Sequence, residues 1–285
     1  MIRLLSRCFC LLVLPLFALA AYAGPVGENS IPALGNFAVL GSSTVTNTGS
    51  TTINGNLGVC STPSTTTCTG ANAITGFPPG LASGIDAGSA VAFQALLAAN
   101  STFNFLSAQS LGANLLSGTI GTMTLNPGIY VFSSTADLTG TLTLNGGSDA
   151  PFIFLVGSSL TTASSSSIVL TGGAEAGDIF WAVGTGGSGS ATLGSSSTFI
   201  GNLIAQASVT MNNSATVCGS VTALTGAVTM DTNTINGTNC GTLDEGGESG
   251  GGTSPVPEPA TFLLLATGLL GAPGFFWFRK PKPVS

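Results

Sequence analysis

The sequence predicts a mostly-β solenoid, a three-sided β-helix with one long α-helix lying along it. Three observations predict it. A short pattern recurs as "VTNTGSTTINGN" (Val45–Asn56), "ATLGSSSTFIGN" (Ala191–Asn202), "VTMNNSATVCGS" (Val209–Ser220) and "VTMDTNTINGT" (Val228–Thr238). The last three copies start 18 and 19 residues apart, whereas helical repeats need about 30 residues or more. Each copy also alternates with the period of a strand, Val209 and Met211 inward and Thr210 outward. Such a period divides into three strands of about six residues, with Gly or Asn at corners that need positive φ. Finally, Ala87–Leu116 breaks the alternation: Val91, Ala95, Ala98 and Phe105 follow a rough period of 3.6. This predicts a helix from about Ala87 to Leu106 with Asp86 as N-cap, too apolar to stand free of the solenoid.

Along the chain, basic Met1–Arg7, apolar Phe9–Ala20 and the A-x-A site Ala21-Tyr22-Ala23 read as a secretory signal peptide over 1–23. The body, 24–243, carries the repeats. Aligned, they put Thr46, Thr192, Thr210 and Thr229 at one position, and Thr52, Thr198, Thr216 and Thr234 at a second. Leu138–Gly147, Phe152–Leu170 and Asp178–Val183 fit less closely; the first two supply Thr143 and Thr162 as further rung positions. Residues 244–255 form a Gly/Ser-rich linker. In the tail, 256–285, Val256-Pro257-Glu258-Pro259 precedes the uncharged span Ala260–Phe278, long enough to cross a bilayer, then Arg279, Lys280 and Lys282. This order resembles the PEP-CTERM sorting signal of Gram-negative bacteria, which an exosortase-type membrane protease processes. It implies an exported chain at the cell surface or beyond, held in the inner membrane at least transiently. Four cysteines outside the leader, Cys60, Cys68, Cys218 and Cys240, suit two disulfides in an exported protein, Cys60–Cys68 and Cys218–Cys240.

Composition excludes much chemistry. Charged residues make up 6% of the 285, histidine is absent, and all five basic residues sit at the two ends. A body without cations is a poor partner for nucleic acid. The lack of histidine removes Ser-His-Asp and Cys-His catalysis, and neither cysteine pair has zinc-site spacing. Glu175 and Asp178 read as a solvated turn rather than an acid/base pair. Gly184–Gly189 matches G-x-G-x-x-G but leads into a strand, not a helix, which argues against a nucleotide. The expectation is no enzyme, no cofactor and no metal.

The threonine columns remain. Rungs about 4.8 Å apart, with outward residues about 6.7 Å apart along a strand, would place methyls and hydroxyls on a flat grid able to order water. Here the blocks "GNFAVLGSSTVTNTGSTTINGNLGV", "AITGFPPG", "LNPGIYVFSS", "LTGTLTLNG", "FIFLVGSSLTTASSSSIVL", "FWAVG", "ATLGSSSTFIGNLIA" and "GAVTMDTNTI" occur in order from about Ile31 to Cys240. They resemble the microbial ice-binding (antifreeze) protein family. The resemblance implies a right-handed, discontinuous β-helix whose N-terminal coil docks beside C-terminal coils. It also implies that the partner is an ice surface, met through a flat, regular face, and that the chain catalyses nothing. The repeat puts Thr46, Thr143, Thr162, Thr192, Thr210 and Thr229 forward for that face, and a monomer is expected. A structural or adhesive matrix protein is the alternative. Two departures stand out: the loop "CSTPSTTTC" (Cys60–Cys68), and Asp231 beside the threonine column.

Overall fold

A computed structural model describes residues 37–61, 68, 70, 73–110 and 112–237. All lie in a compact unit that ends at Leu243. The expected signal peptide, linker, sorting signal, membrane span and Cys240 fall outside the described residues. Among the described residues no helix is long and apolar enough to cross a membrane.

The alternation in each repeat decides the architecture. Val209–Met211 pairs in parallel with Ala191–Leu193 on one side and Val228–Asp231 on the other, Thr210 standing between Thr192 and Thr229. Thr198–Ile200, Thr216–Cys218 and Thr234–Asn236 stack the same way on a second face. Ile179–Val183, Asn202–Ala205 and Val221–Ala223 stack on a third. The three faces enclose a β-helix. Between the second and third faces each coil turns at glycine. Gly201 and Gly219 have φ of 115° and 136°, and a Cβ on Gly219 would lie 2.1 Å from the Gly201 carbonyl oxygen. The recurring glycine of the sequence pattern is therefore a corner that no other residue fits.

Stacking order departs from chain order. Phe37–Gly41, Val45–Thr48 and Thr52–Val59 pair with Val221–Ala223, Val228–Asp231 and Thr234–Asn236, so the first coil continues the stack beyond the last. Ile74–Thr75 and Leu81–Ala87 close that end. Asn114–Thr119 and Met123–Leu125 form the opposite end, against Gly128–Leu138 and Thr141–Asn145. The chain must travel from Ala87 at one end to Asn114 at the other. The helix Ala90–Ser107 makes that journey.

The helix starts three residues later than the sequence suggests. Asp86 is still in a strand, paired with Gly58, because ladder pairing prevails over local helix propensity up to Ala87. Gly88, at φ 79°, ends the strand. Ser89 is the N-cap, its hydroxyl oxygen accepting from the amides of Val91 and Ala92. Asp86 instead accepts from the Ser89 hydroxyl at 2.7 Å and braces the cap from behind.

Two apolar cores result. Inward residues of all three faces fill the first. Along it Tyr130, Phe154 and Trp181 occupy one registered row, with ring centroids 5.3 and 3.8 Å apart, and Phe199 follows at 5.3 Å. Trp181 is fully buried and its Nε1–H donates to the Ile200 carbonyl at 3.1 Å. The second core lies between helix and third face, where outward Leu40, Leu155, Ala182 and Ile204 pack with Phe93, Leu96, Phe103 and Leu106. Cys60 and Cys68 belong to it and are joined by the expected disulfide, with Cα atoms 4.9 Å apart. Cys218 is also disulfide-bonded. The helix thus consumes the third face, leaving two faces without a helix over them.

Candidate functional site

The first face carries one continuous outward row. In stacking order it reads Thr75, Thr46, Thr229, Thr210, Thr192, Thr161, Asp137 and Thr119. Thr210 lies between the inward Val209 and Met211, and Thr161 between the inward Leu160 and Thr162. Thr46, Thr75, Thr161 and Thr229 are exposed, while Thr192 and Thr210 are half-buried by their neighbours. Two residues before Thr46, Thr210, Thr192, Thr161 and Asp137 stand Thr44, Ser208, Ser190, Ser159 and Thr135. The Ser190 hydroxyl oxygen accepts from the Ser208 amide at 3.3 Å, and that of Ser208 from the Ala227 amide at 3.3 Å. These hydroxyls are tied to the next rung's backbone, so the surface beside the row is fixed rather than mobile.

The corner leading to the second face is equally regular. Thr122, Gly140, Ser165, Ser196, Ser214, Thr232 and Gly49 all have φ between 53° and 76°. Behind them, buried side chains satisfy the turned backbone. Ser166 and Ser197 donate to the carbonyls of Ala163 and Gly194. Asn233 donates to those of Asn212 and Ala215, and its amide donates to Thr51 Oγ1. A left-handed residue costs free energy unless the surroundings over-determine it, and here a buried hydrogen bond does so coil after coil.

The second face presents Leu81, Thr52, Thr234, Thr216, Thr198, Ser167 and Thr141 in one ladder. Beside it runs a row with Asn54, Asn236, Cys218 and Ile200, in which the Asn54 Nδ2–H donates to Asn236 Oδ1 at 2.6 Å.

Of the six threonines named from sequence, Thr46, Thr192, Thr210 and Thr229 share the first-face row. Thr143 is on the second face, between Val169 and Thr124. Thr162 is a correction: it points inward, 2% exposed, and its Oγ1 accepts from the Gly194 amide at 2.8 Å. A one-residue shift in a strand reverses the side chain. Thr161 holds the row position, and inward Leu160 just before it was the signal that fixes the phase. Thr75 and Thr119 were missed because their strands lie outside any close copy of the repeat. Asp231 is outward, opposite Thr48 and two residues beyond Thr229, and Asp137 breaks the row itself.

Among the acids, Asp178 is 4% exposed at the start of Ile179–Val183 and so faces no open cleft. Burial pushes its carboxyl up from the ordinary range, with Glu175 and Asp149 adding to this and the amides of Asp149 and Ala150 opposing it. No group of three potential metal ligands is found among the described residues.

The family described as Ice-binding-like matches residues 39–236, and the PEP-CTERM protein-sorting motif matches residues 255–280. The chain is 40% identical over 277 residues to an ice-binding protein of Nostoc sp. (strain HG1), 94% of each chain being covered. An ice-binding protein of Flavobacterium frigoris (strain PS1) is 41% identical over 122 residues, 43% of this chain and 42% of that one. Among solved structures, an ice-binding protein from the Antarctic ascomycete Antarctomyces psychrotrophicus superposes with TM-score 0.63 at 36% identity. It covers 72% of this chain and 96% of its own. One from an Antarctic biological consortium gives 0.65 at 38%, covering 72% and 90%.

Proposed function

Because the chain belongs to the ice-binding-like family, we propose that it is a non-enzymatic ice-binding protein that adsorbs to ice through the first-face threonine row and restrains ice growth or recrystallisation. The observation that carries this reading is the register: six threonines, Thr75, Thr46, Thr229, Thr210, Thr192 and Thr161, follow one another without a break. Five steps of about 4.8 Å make a row about 24 Å long.

The physical logic is one of fit without charge. Each threonine presents a methyl and a hydroxyl, so the row repels and anchors water at regular intervals. Parallel pairing fixes the spacing, the two apolar cores keep the strands flat and rigid, and the corner hydrogen bonds hold the row's edge. Rigidity matters because adsorption then costs little ordering of the protein itself. A carboxylate holds its own hydration shell and competes with lattice water, so Asp137 marks one end of the working surface.

The sorting motif points to export in a Gram-negative bacterium. We further propose that Ala260–Phe278 holds the chain in the inner membrane until an exosortase-type protease acts, and that the body works as a monomer. A recrystallisation assay on the purified chain from Gly24 onward tests the function. Ice grains that coarsen as fast as in a protein-free control would refute it and favour a matrix role.

A further inference from the structure

We propose that Asn233 is a positioning residue, which holds the corner against which the N-terminal coil docks and so keeps Thr46 and Thr75 in line with the threonines of the C-terminal coils. Thr229 and Thr234 are five positions apart (234 minus 229), whereas Thr210 and Thr216 (216 minus 210) and Thr46 and Thr52 (52 minus 46) are six apart. The corner of this coil is therefore one residue shorter than the two corners it is stacked between, and its turn has one peptide group fewer. The Asn233 side chain, itself an amide, takes that place. Its Oδ1 accepts from the Asp231 amide at 2.7 Å, and its Nδ2–H donates to the carbonyls of Asn212 at 2.8 Å and Ala215 at 3.2 Å.

Elsewhere a hydroxyl satisfies the equivalent carbonyl from within its own coil, Ser166 reaching Ala163 and Ser197 reaching Gly194. Ala215 is three residues after Asn212 in the same way but has no hydroxyl, so Asn233 supplies that bond from the next coil. Asn233 is 1% exposed, so solvent does not replace these bonds if the side chain is removed.

The joint beside this corner needs a register, because the chain does not pass directly from Thr234–Asn236 into Phe37–Gly41. Alternation excludes a slip of one residue, which would turn Thr46 inward. It does not exclude a slip of two: Asn47, also inward, would then oppose Val228, and Thr48 would oppose Thr229. The corner decides between them. Gly49, at φ 76°, lies against Thr232, and a Cβ on it would be 2.3 Å from Thr232 Oγ1. The Asn233 amide donates to Thr51 Oγ1 at 3.0 Å, and the Thr52 amide donates to the Asn233 carbonyl at 2.9 Å. Both bonds use the Asn233 backbone, which its side chain fixes. The consequence for ice rests on the first face being the ice-binding surface; the register itself does not.

The test uses the full chain with Asn233→Ala, Thr51→Val, or Asn233→Ala combined with Ala215→Ser. Hydrogen exchange at the Thr52 amide is expected to be about tenfold faster in the first two and to slow again in the third, where the new hydroxyl serves the Asn212 carbonyl. The Thr198 amide, which donates to the Ser166 carbonyl between other coils, is expected to keep its parent rate. An unchanged Thr52 rate overturns the proposal, and so do equal rises at Thr52 and Thr198, which signal general loosening. If Asn233→Ala does not fold, Thr51→Val decides by the same two amides. In ice assays Thr46→Tyr is expected to lower the activity of the parent but not to lower further that of Asn233→Ala; additive losses overturn the positioning role. A parent without ice activity refutes the proposed function instead, and the exchange rates still decide the register.

Discussion

Thr46 and Thr229 are ladder partners on the first face although 183 positions separate them (229 minus 46). Their pairing joins the N-terminal coil to the C-terminal coils, and it makes one continuous row from threonines of both chain ends. The row's behaviour under substitution is the most direct check on the proposed function.

Thr210→Tyr is expected to remove most ice activity. Its side chain lies mid-row, and a phenol there holds the face off a flat plane. Surface changes of this kind shift stability by about 0.5 kcal/mol or less, so the melting temperature stays nearly unchanged. Thr216→Tyr, on the second face, is the matched control and is expected to retain activity. Recrystallisation inhibition alongside thermal melts decides; the reverse pattern would move the ice-facing role to the second face.

Thr161 and Thr162 separate surface from core within one dipeptide. Thr161→Tyr should behave like the row variant. Thr162→Ala should cost about 1–3 kcal/mol, since it strands the buried Gly194 amide, yet leave the activity of the folded protein intact. Denaturant unfolding combined with ice assays below the transition distinguishes them.

Asp137→Thr should extend the unbroken row from Thr161 through Thr119. Greater thermal hysteresis at equal concentration is the expected outcome. No gain would mean that the working surface ends before this rung.

Trp181→Ala should destabilise by about 3–5 kcal/mol. It opens a cavity in the aromatic row beside Phe154 and Phe199 and leaves the Ile200 carbonyl without its indole donor. Calorimetry measures the loss.

Asp178 predicts an unusual pH slope. Its folded carboxyl binds a proton more tightly than an unfolded one, whose pKa is about 3.9, because burial raises it. Its contribution is therefore full while both states are protonated. It is lost as pH rises from the unfolded value through the higher folded one. Over that window this group makes the protein less stable with rising pH, the opposite of a salt-bridged carboxylate. Asp178→Asn should flatten the slope in melts taken from acid to neutral pH.

Much of this was legible in the sequence, for a physical reason. Period-2 alternation repeated every coil is a strong signal, and the aligned Thr46, Thr192, Thr210 and Thr229 fall in one row because parallel pairing preserves register. The glycine corner was equally readable. What failed is where two signals compete locally. "LTT" at Leu160–Thr162 offers two threonines for one outward place, and the weaker repeat around it gave no alignment to choose between them. The helix start failed similarly: Asp86 is a good capping residue, but a strand partner 28 residues upstream, Gly58, claims it first (86 minus 58). Local propensity cannot see such pairing. Thr75 and Thr119, in strands at the two ends of the stack, carry no repeat context at all.

The helix linking the two ends of the stack sets a rule for how this fold can change size. One extra coil lengthens the solenoid by about 4.8 Å, and Ala90–Ser107 would need about three more residues at 1.5 Å each to keep pace. Three residues turn a helix by about 300°, some 60° short of a full revolution, so the apolar stripe carried by Phe93, Leu96 and Phe103 would rotate off the third face. Adding rungs singly is thus penalised by the second core rather than by the row of threonines. A broader threonine surface in this architecture is more readily reached by widening each strand, or by converting an interrupting side chain such as Asp137, than by growing taller.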